Sequence, residues 1–363
     1  NFCFSNITTF EDISKIARKI LDIISTPIVI NGIKCSVTGS IGISIYPDDG
    51  NEPEILIENS DRAMYWVKGQ GKNHFKIYNE EIYLESIKNK EFDDNLNNAL
   101  EKNEFLLIYQ PLYNFFGKII GLEAFLRWNS SEYGLLKPED FLERAEKTGL
   151  IVPVGYWALQ QICQDIKYLQ KYYKTPIPFS SNFSTYQLLQ TNFIEKVEEI
   201  ITSYGLSPNQ LTIDITEKSI ISDIKKAGQA LAAAKKIGIH TALDNFGLDE
   251  ASINILRKMP IDMIKIDYDF IKDIINADHS TSTIKSIINL AHNLKIENII
   301  IERVETIAEL IIIKNIGFKL FQGFVFGEPQ LAHDLFPMIN KKEKEISKKL
   351  QKLIKNNGQN MIV

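Results

Sequence analysis

From residue 101 to residue 338 the chain alternates short, β-rich apolar runs with helical stretches, and this rhythm constrains the fold more than any other feature. The apolar runs cover 105–112, 119–128, 177–181, 211–216, 240–243, 263–267, 296–304 and 318–326. Helical patterns at 138–148, 157–172, 193–204, 225–237 and 282–294 lie between most of them. Parallel strands must be joined by a long crossover, usually a helix, so this alternation predicts a mainly parallel sheet. About eight such units over roughly 240 residues predict an α/β fold of the (β/α)8, TIM-type barrel class. In that architecture the chemistry sits at the C-terminal strand ends, so polar residues closing apolar strands are the ones to inspect.

In chain order these are Glu123 in GLEAFLRW, Asn182 after FSS, Asp214 and Glu217 in TIDITE, and Asp244 and Asn245 in TALDNFG. Lys265 and Asp267 in IKID, Glu302 and Glu305 in IERVE, and Gln322 in QGFVFG complete the set. Any one of them reads as a strand-end group making a local hydrogen bond. If the strands close into a barrel, the set converges on one mouth, bringing the carboxylates of Glu123, Asp214, Asp244 and Glu302 together. Like charges raise one another's pKa, so such a cluster needs cations. Oxygen donors without His or Cys suit Mg²⁺, Mn²⁺ or Ca²⁺ rather than zinc.

Composition narrows the function classes. Lys and Arg number 41 against 46 Asp and Glu, a formal net charge of -5, which disfavours binding of a nucleic-acid polymer but not of a small phosphate ligand. Cys3, Cys35 and Cys163 are far apart and form no CxxC pair, so neither a zinc ribbon nor a disulfide framework is expected. The five histidines are scattered and leave no HExxH site. The longest apolar runs, such as 310–313, fall well short of the roughly 20 residues of a membrane span. The sequence starts at Asn1 without Met, so an upstream sensor or membrane segment is expected beyond it, with the residues seen here in the cytoplasm.

Residues 1–80 form a smaller α/β unit by pattern. Helical spacing covers 11–24 and 54–68, Asn31-Gly32 between apolar runs at 28–30 and 33–45 signals a hairpin, and 74–78 reads as a last strand. Residues 81–100 read as a connecting helix, 101–338 as the barrel, and 339–363 as a basic tail with Ile346, Leu350, Leu353 and Ile354 on one helix face.

The strand-end motifs resemble those of the EAL domain family, the cyclic-di-GMP phosphodiesterase fold. The resemblance rests on YQP at 109–111, EAFLRW at 123–128, Asn182, TIDITE at 212–217, DNFG at 244–247, KID at 265–267, ERVE at 302–305 and Gln322-Gly323. Residues 1–80 resemble the second half of a GGDEF, or diguanylate cyclase-like, domain through SIGIS at 40–44, YPDDG at 46–50 and AMYWVK at 63–68 with GKN at 71–73. The GG(D/E)EF signature is not in the chain, so cyclase activity is not expected, and Lys68 and Lys72 read as solvated helix-end cations. The EAL resemblance implies a bacterial second-messenger hydrolase in which two divalent cations activate a water. That water attacks one phosphate of cyclic-di-GMP in line, expels a 3′ oxygen and gives linear pGpG.

Carried over residue by residue, Glu123, Asn182, Asp214, Asp244 and Glu302 would hold metal. Lys265 would orient the water, with Glu302 and Gln322 completing the catalytic set. Glu217 would anchor the loop after Asp244. Gln110 and Arg127 would contact the dinucleotide, and a homodimer formed through the barrel would be expected.

The departures are as informative. The signature reads Glu-Ala-Phe rather than Glu-Ala-Leu, an apolar exchange behind the ligand. Asp214 stands where the family has Glu, Asn245 where it has the second Asp of a pair, and Arg303 where it has Gly. The stretch 248–252 lacks the family's Thr-Gly-Tyr-Ser-Ser pattern. A neutral amide at 245 is a weak ligand, so one Mg²⁺ or Mn²⁺ site is expected and the second is doubtful. Arg303 would then face a ligand phosphate or pair with Glu305 or another carboxylate. Three readings follow: a degenerate EAL domain that binds cyclic-di-GMP with weak or no hydrolysis, an active phosphodiesterase, or a scaffold with neither ligand nor activity.

Overall fold

The computed structural model describes the chain except Asn1, Asn6, Thr8, residues 31–32, 70–72, 222, 248–251, 279–280 and 360–363. It divides into two compact units, residues 1–96 and 97–363.

In the first unit, α1 (Phe10–Ser25) starts where the Thr9 side chain accepts from Asp12 N–H. It is followed by the antiparallel pair β1 (Ile28–Ile30) and β2 (Ile33–Cys35), in register Ile30↔Ile33, as the hairpin signal predicts; the Asn31-Gly32 turn itself lies outside the described residues. The apolar run 33–45 is not one strand. It breaks after Cys35, and β3 (Ile41–Ile43) pairs in parallel with β4 (Phe75–Ile77) across α2 (Pro53–Gly69). Helix α3 (Glu80–Asn98) follows. Lys68 stacks over the Tyr65 ring at 4.8 Å, in keeping with a helix-end cation; Lys72 lies outside the described residues.

The second unit opens with β5 (Phe105–Asn114) and β6 (Ile119–Ser130), an antiparallel hairpin, and β7 (Gly134–Leu136) beside it. Then come α4 (Pro138–Thr148), α5 (Ile151–Leu169), β8 (Phe179–Asn182), α6 (Thr185–Leu188), α7 (Phe193–Ser203) and β9 (Leu211–Thr216). Next are α8 (Glu217–Ile221), α9 (Ile224–Ile237), β10 (His240–Asp244), α10 (Ser252–Lys258), β11 (Met263–Asp267), α11 (Tyr268–Asp278) and α12 (Ser282–Asn293). The chain closes with β12 (Asn298–Glu302), α13 (Ile307–Ile316), β13 (Leu320–Phe321), β14 (Gln330–Leu331), α14 (Ala332–Leu335) and α15 (Ile339–Gln359).

Strands pair in the order β5-β13-β12-β11-β10-β9-β8-β6, and the β5–β6 pairing closes the ring into an eight-stranded barrel. Strands β6 and β8–β13 run parallel. Strand β5 runs against both its neighbours, so the barrel is a modified (β/α)8. The pattern of 318–326 overstates its strand. Only Leu320–Phe321 pairs, and Gly323 then turns the chain hard against the segment after β12; a Cβ there would come within 2.1 Å of the Val304 carbonyl oxygen.

The apolar faces of the strands and helices fill one core, which includes Tyr109, Phe179, Ile213, Leu243, Ile264 and Ile301. Against this apolar background the buried polar residues stand out: Gln110, Glu123, Asp214, Asp244, Lys265, Asp267 and Gln322. Ile346 and Leu350 of α15 are also buried in the core, so the tail docks through the face that the sequence marks.

Candidate active site

Parallel pairing sets Asn182 beside Asp214, Ala242 beside Asp214, and Asp267 beside Glu302, so the barrel delivers its polar residues to one end. At their centre stands Lys265. Its ammonium lies 2.7 Å from Glu123 Oε2, 2.7 Å from Asp214 Oδ2 and 3.1 Å from Glu302 Oε1. The side chains of Lys265 and Asp214 are fully buried, and Glu123 nearly so. Asn182 Nδ2 donates to Glu123 Oε1 at 3.2 Å, and Asp244 Oδ1 accepts from Asn245 N–H at 2.8 Å.

Burial disfavours each charge and proximity redistributes them. Burial pushes the Asp214 carboxyl from 3.8 up to about 7; Lys265 opposes the rise, and Glu123 and Asp244 add to it. Burial also drives Glu302 well above the usual carboxylate range, against the pull of Lys265. For Lys265 burial favours the neutral amine, but Asp214, Glu123 and Glu302 outweigh it and hold the ammonium protonated.

The structure gives the other expected site residues the following contacts. Gln322 Nε2 donates to Gln110 Oε1 at 3.1 Å, and Gln110 Nε2 donates to the Gly327 carbonyl at 3.3 Å, so two amides 212 residues apart in sequence form one buried pair. Glu217 Oε1 accepts from Gly247 N–H at 3.3 Å, at the foot of the loop after β10. The rest of that loop, 248–251, is outside the described residues. Arg127 is partly buried on β6, its Nη1 donating to the Leu126 carbonyl at 2.7 Å.

Two family departures share one backbone feature. Asn245 has φ 57 and Arg303 has φ 55, both left-handed. Asn tolerates that conformation, and Gly adopts it freely, which accounts for a Gly at position 303 in the family. Arg303 points its Nη1 at Asp267 Oδ2, 2.9 Å away, while Asp267 Oδ1 accepts from Asp269 N–H at 2.8 Å. The Arg303 side chain remains 69% exposed. Asp267, not Glu305, is thus its carboxylate partner; the IKID motif contains Asp267, but only the pairing of β11 with β12 brings it to the Arg.

Among the described residues no three His, Cys, Asp or Glu side chains stand at metal-cage spacing, and Glu123, Asp214 and Glu302 converge on the Lys265 ammonium. The donor set nevertheless fits a hard divalent cation. Its acidic members are oxygen donors, three carboxylates meet one ammonium, and Asp214 Oδ1 is buried without a hydrogen-bond partner.

This is a barrel whose mouth is lined with carboxylates around a buried lysine. Comparison with known proteins gives it a family: residues 93–329 match the EAL domain, and residues 3–74 match the diguanylate cyclase, GGDEF domain. The chain belongs to the EAL domain family and carries a GGDEF region ahead of its barrel.

Among its relatives is the bifunctional diguanylate cyclase/cyclic di-GMP phosphodiesterase MucR of Pseudomonas aeruginosa, 30% identical over 329 residues, covering 90% of this chain and 48% of that protein. The cyclic di-GMP phosphodiesterase PdeR of Escherichia coli is 29% identical over 326 residues, 90% of this chain and 49% of that protein. The chain therefore spans about half the length of these two curated relatives. A solved MucR phosphodiesterase, in complex with c-di-GMP, superposes with a TM-score of 0.62 at 30% identity, covering 67% of this chain and 98% of that one. Among the described residues no helix is long and apolar enough to cross a membrane.

Proposed function

We propose that this chain binds cyclic-di-GMP in the barrel mouth and hydrolyses it weakly or not at all, acting as a second-messenger receptor or regulatory module. The observation that carries the reading is an intact carboxylate–Lys265 core with an amide, Asn245, beside it where the family has a second acid. The MucR structure, solved with c-di-GMP, supports the ligand.

Glu123, Asn182, Asp214, Asp244 and Glu302 would hold one Mg²⁺ or Mn²⁺. When bound, the cation lowers the pKa of its water and neutralises charge on the phosphate. The protein's own groups do the rest. Lys265, its ammonium favoured by three carboxylates, is fixed at the floor of the mouth, placed to orient a water and to offset charge as a phosphate is attacked. Gln322 and Gln110 brace each other beside it and keep one edge of the mouth rigid. Arg127 and Arg303 supply guanidinium donors suited to phosphate oxygens. Glu217 fixes the start of the loop that follows Asp244. Assembly as a homodimer and control by an upstream sensor domain belong to the same reading.

A second reading, an active Mg²⁺- or Mn²⁺-dependent phosphodiesterase, is favoured by the undisturbed Lys265 contacts. One experiment separates the two: incubation of the pure protein with cyclic-di-GMP and Mg²⁺ or Mn²⁺, with binding and pGpG release followed together. Binding without pGpG supports the receptor, release at many turnovers supports the enzyme, and neither leaves the interaction scaffold.

A further inference from the structure

At the barrel end opposite the carboxylate cluster, the turn joining β5 to β6 holds an aromatic side chain out in water. Asn114 Oδ1 accepts from the N–H groups of Phe116 and Lys118 at 3.0 Å each, and Gly117 N–H donates to the Asn114 carbonyl at 2.9 Å. Gly117, at φ +77, packs so closely on α15 that a Cβ would come within 2.5 Å of the Ser347 backbone. Phe116, on this braced turn, is 80% exposed. Single exposed hydrophobic residues are ordinary, but this one borders a cleft of about 490 Å³ lined also by the exposed lysines 118, 174 and 344. The carboxylate in that cleft, Glu343, is turned inward: its Oε1 accepts from Ile119 N–H at 2.9 Å and from the Tyr173 hydroxyl at 2.8 Å.

Helix α15 extends the positive field. Its apolar stripe is already committed to the core through Ile346 and Leu350. Lys341, Lys344, Lys348 and Lys352 recur at spacings of about three or four residues, as one exposed stripe. The helix carries seven lysines and two glutamates in a chain whose net charge is -5. A local basic field on an acidic protein is a directional feature, not a compositional one.

We propose that this end of the barrel docks on an anionic phospholipid bilayer, with Phe116 seated among the headgroups and the lysines of α15 and the cleft over lipid phosphates. Charge attraction and an inserted aromatic together give the two-signal anchoring that either alone supplies weakly. A nucleic-acid duplex would also meet the lysine stripe, but its phosphate backbone offers Phe116 no apolar seat. Docking at this end leaves the barrel mouth facing away from the bilayer.

The test is co-sedimentation of the full chain with phosphatidylcholine vesicles, neutral or containing phosphatidylglycerol, with duplex DNA as a competitor. Retention on the anionic vesicles alone, released by high salt, is the expected result. Each lysine near the surface contributes about a fivefold affinity, so Lys344→Glu/Lys348→Glu should weaken retention by at least about twentyfold. Phe116→Ser should weaken it by about fivefold at unchanged charge. Lys272→Glu/Lys285→Glu, the same charge change elsewhere on the barrel, should leave retention unchanged, and unaltered melting of each variant verifies its fold. Equal retention on neutral vesicles, equal loss in the Lys272/Lys285 control, no effect of Phe116→Ser, or displacement by duplex DNA at equal phosphate would each overturn the proposal.

Discussion

Arg303 Nη1 lies 2.9 Å from Asp267 Oδ2, across the ends of the neighbouring strands β12 and β11. The pair is neutral, and it stands one residue from Glu302 and two from Lys265. It also holds a bulky residue in a left-handed conformation that favours Gly.

If Arg303 contributes to phosphate binding, the parent should retain affinity for cyclic-di-GMP in EDTA, and Arg303→Ala should lose it. Fold stability will not confuse the comparison. Arg303→Ala keeps the left-handed backbone as it is and forfeits an ion pair whose Arg side is exposed, worth roughly 0–1 kcal/mol, so denaturation midpoints should barely move. Equal affinity of parent and Arg303→Ala in EDTA, or none in either, removes Arg303 from the ligand account.

Removing the buried ammonium should be severe. Lys265→Met leaves Glu123, Asp214 and Glu302 without their common partner, a change expected to cost about 3–5 kcal/mol in metal-free buffer. Mn²⁺ should restore more stability to the variant than it adds to the parent, because it would take over the neutralising role. An equal Mn²⁺ shift in the two melting curves would argue that the cation binds elsewhere.

Stability should also depend on pH in a defined direction. Asp214 has a folded pKa of about 7 against 3.8 unfolded, so the native state binds more protons between those values. Its contribution to stability is therefore fully present below 3.8 and is lost as pH rises towards 7. Urea titrations of the metal-free protein across that window should show a downward slope from this group, shallower in Asp214→Asn. An unchanged slope in the variant would mean that Asp214 is already ionised there.

For the metal, one site is expected. Mn²⁺ titration calorimetry should give a single stoichiometric step that Asn245→Ala leaves in place. Two strong anomalous peaks in the mouth of a Mn²⁺-soaked crystal would refute the single-site reading.

Rescue should be cooperative. Asn245→Asp restores an acid and Arg303→Gly withdraws a cation from the same rim, so turnover of the double variant should exceed what the two single changes predict together. A double variant that binds cyclic-di-GMP yet releases no pGpG would move the defect to Asp214 or to the 248–252 loop.

The strand rhythm was enough to read the barrel class and the strand-end carboxylates, since alternation and terminal polarity are local properties. Contacts between distant strands were not legible. The contacts of Lys265 with three carboxylates and of Gln110 with Gln322 join residues far apart in sequence, and no pattern along the chain announces them. Register decides such meetings, and a run of apolar residues does not encode which strand will lie beside it. The shortness of β13 was hidden for a related reason: Phe324, Val325 and Phe326 look like strand residues, but Gly323 has already turned the chain.

The inverted direction of β5 has a mechanical consequence. In an all-parallel barrel the chain enters at the closed floor, far from the reactive rim. Here Phe105 pairs with Trp128, beyond Glu123 on β6, and Glu104 accepts from the Trp128 indole at 2.9 Å. The covalent entrance to the barrel and the carboxylate end are the same end. A pull or twist delivered along residues 97–104 therefore bears directly on the strand that carries Glu123 and Arg127, with no need to travel through the core.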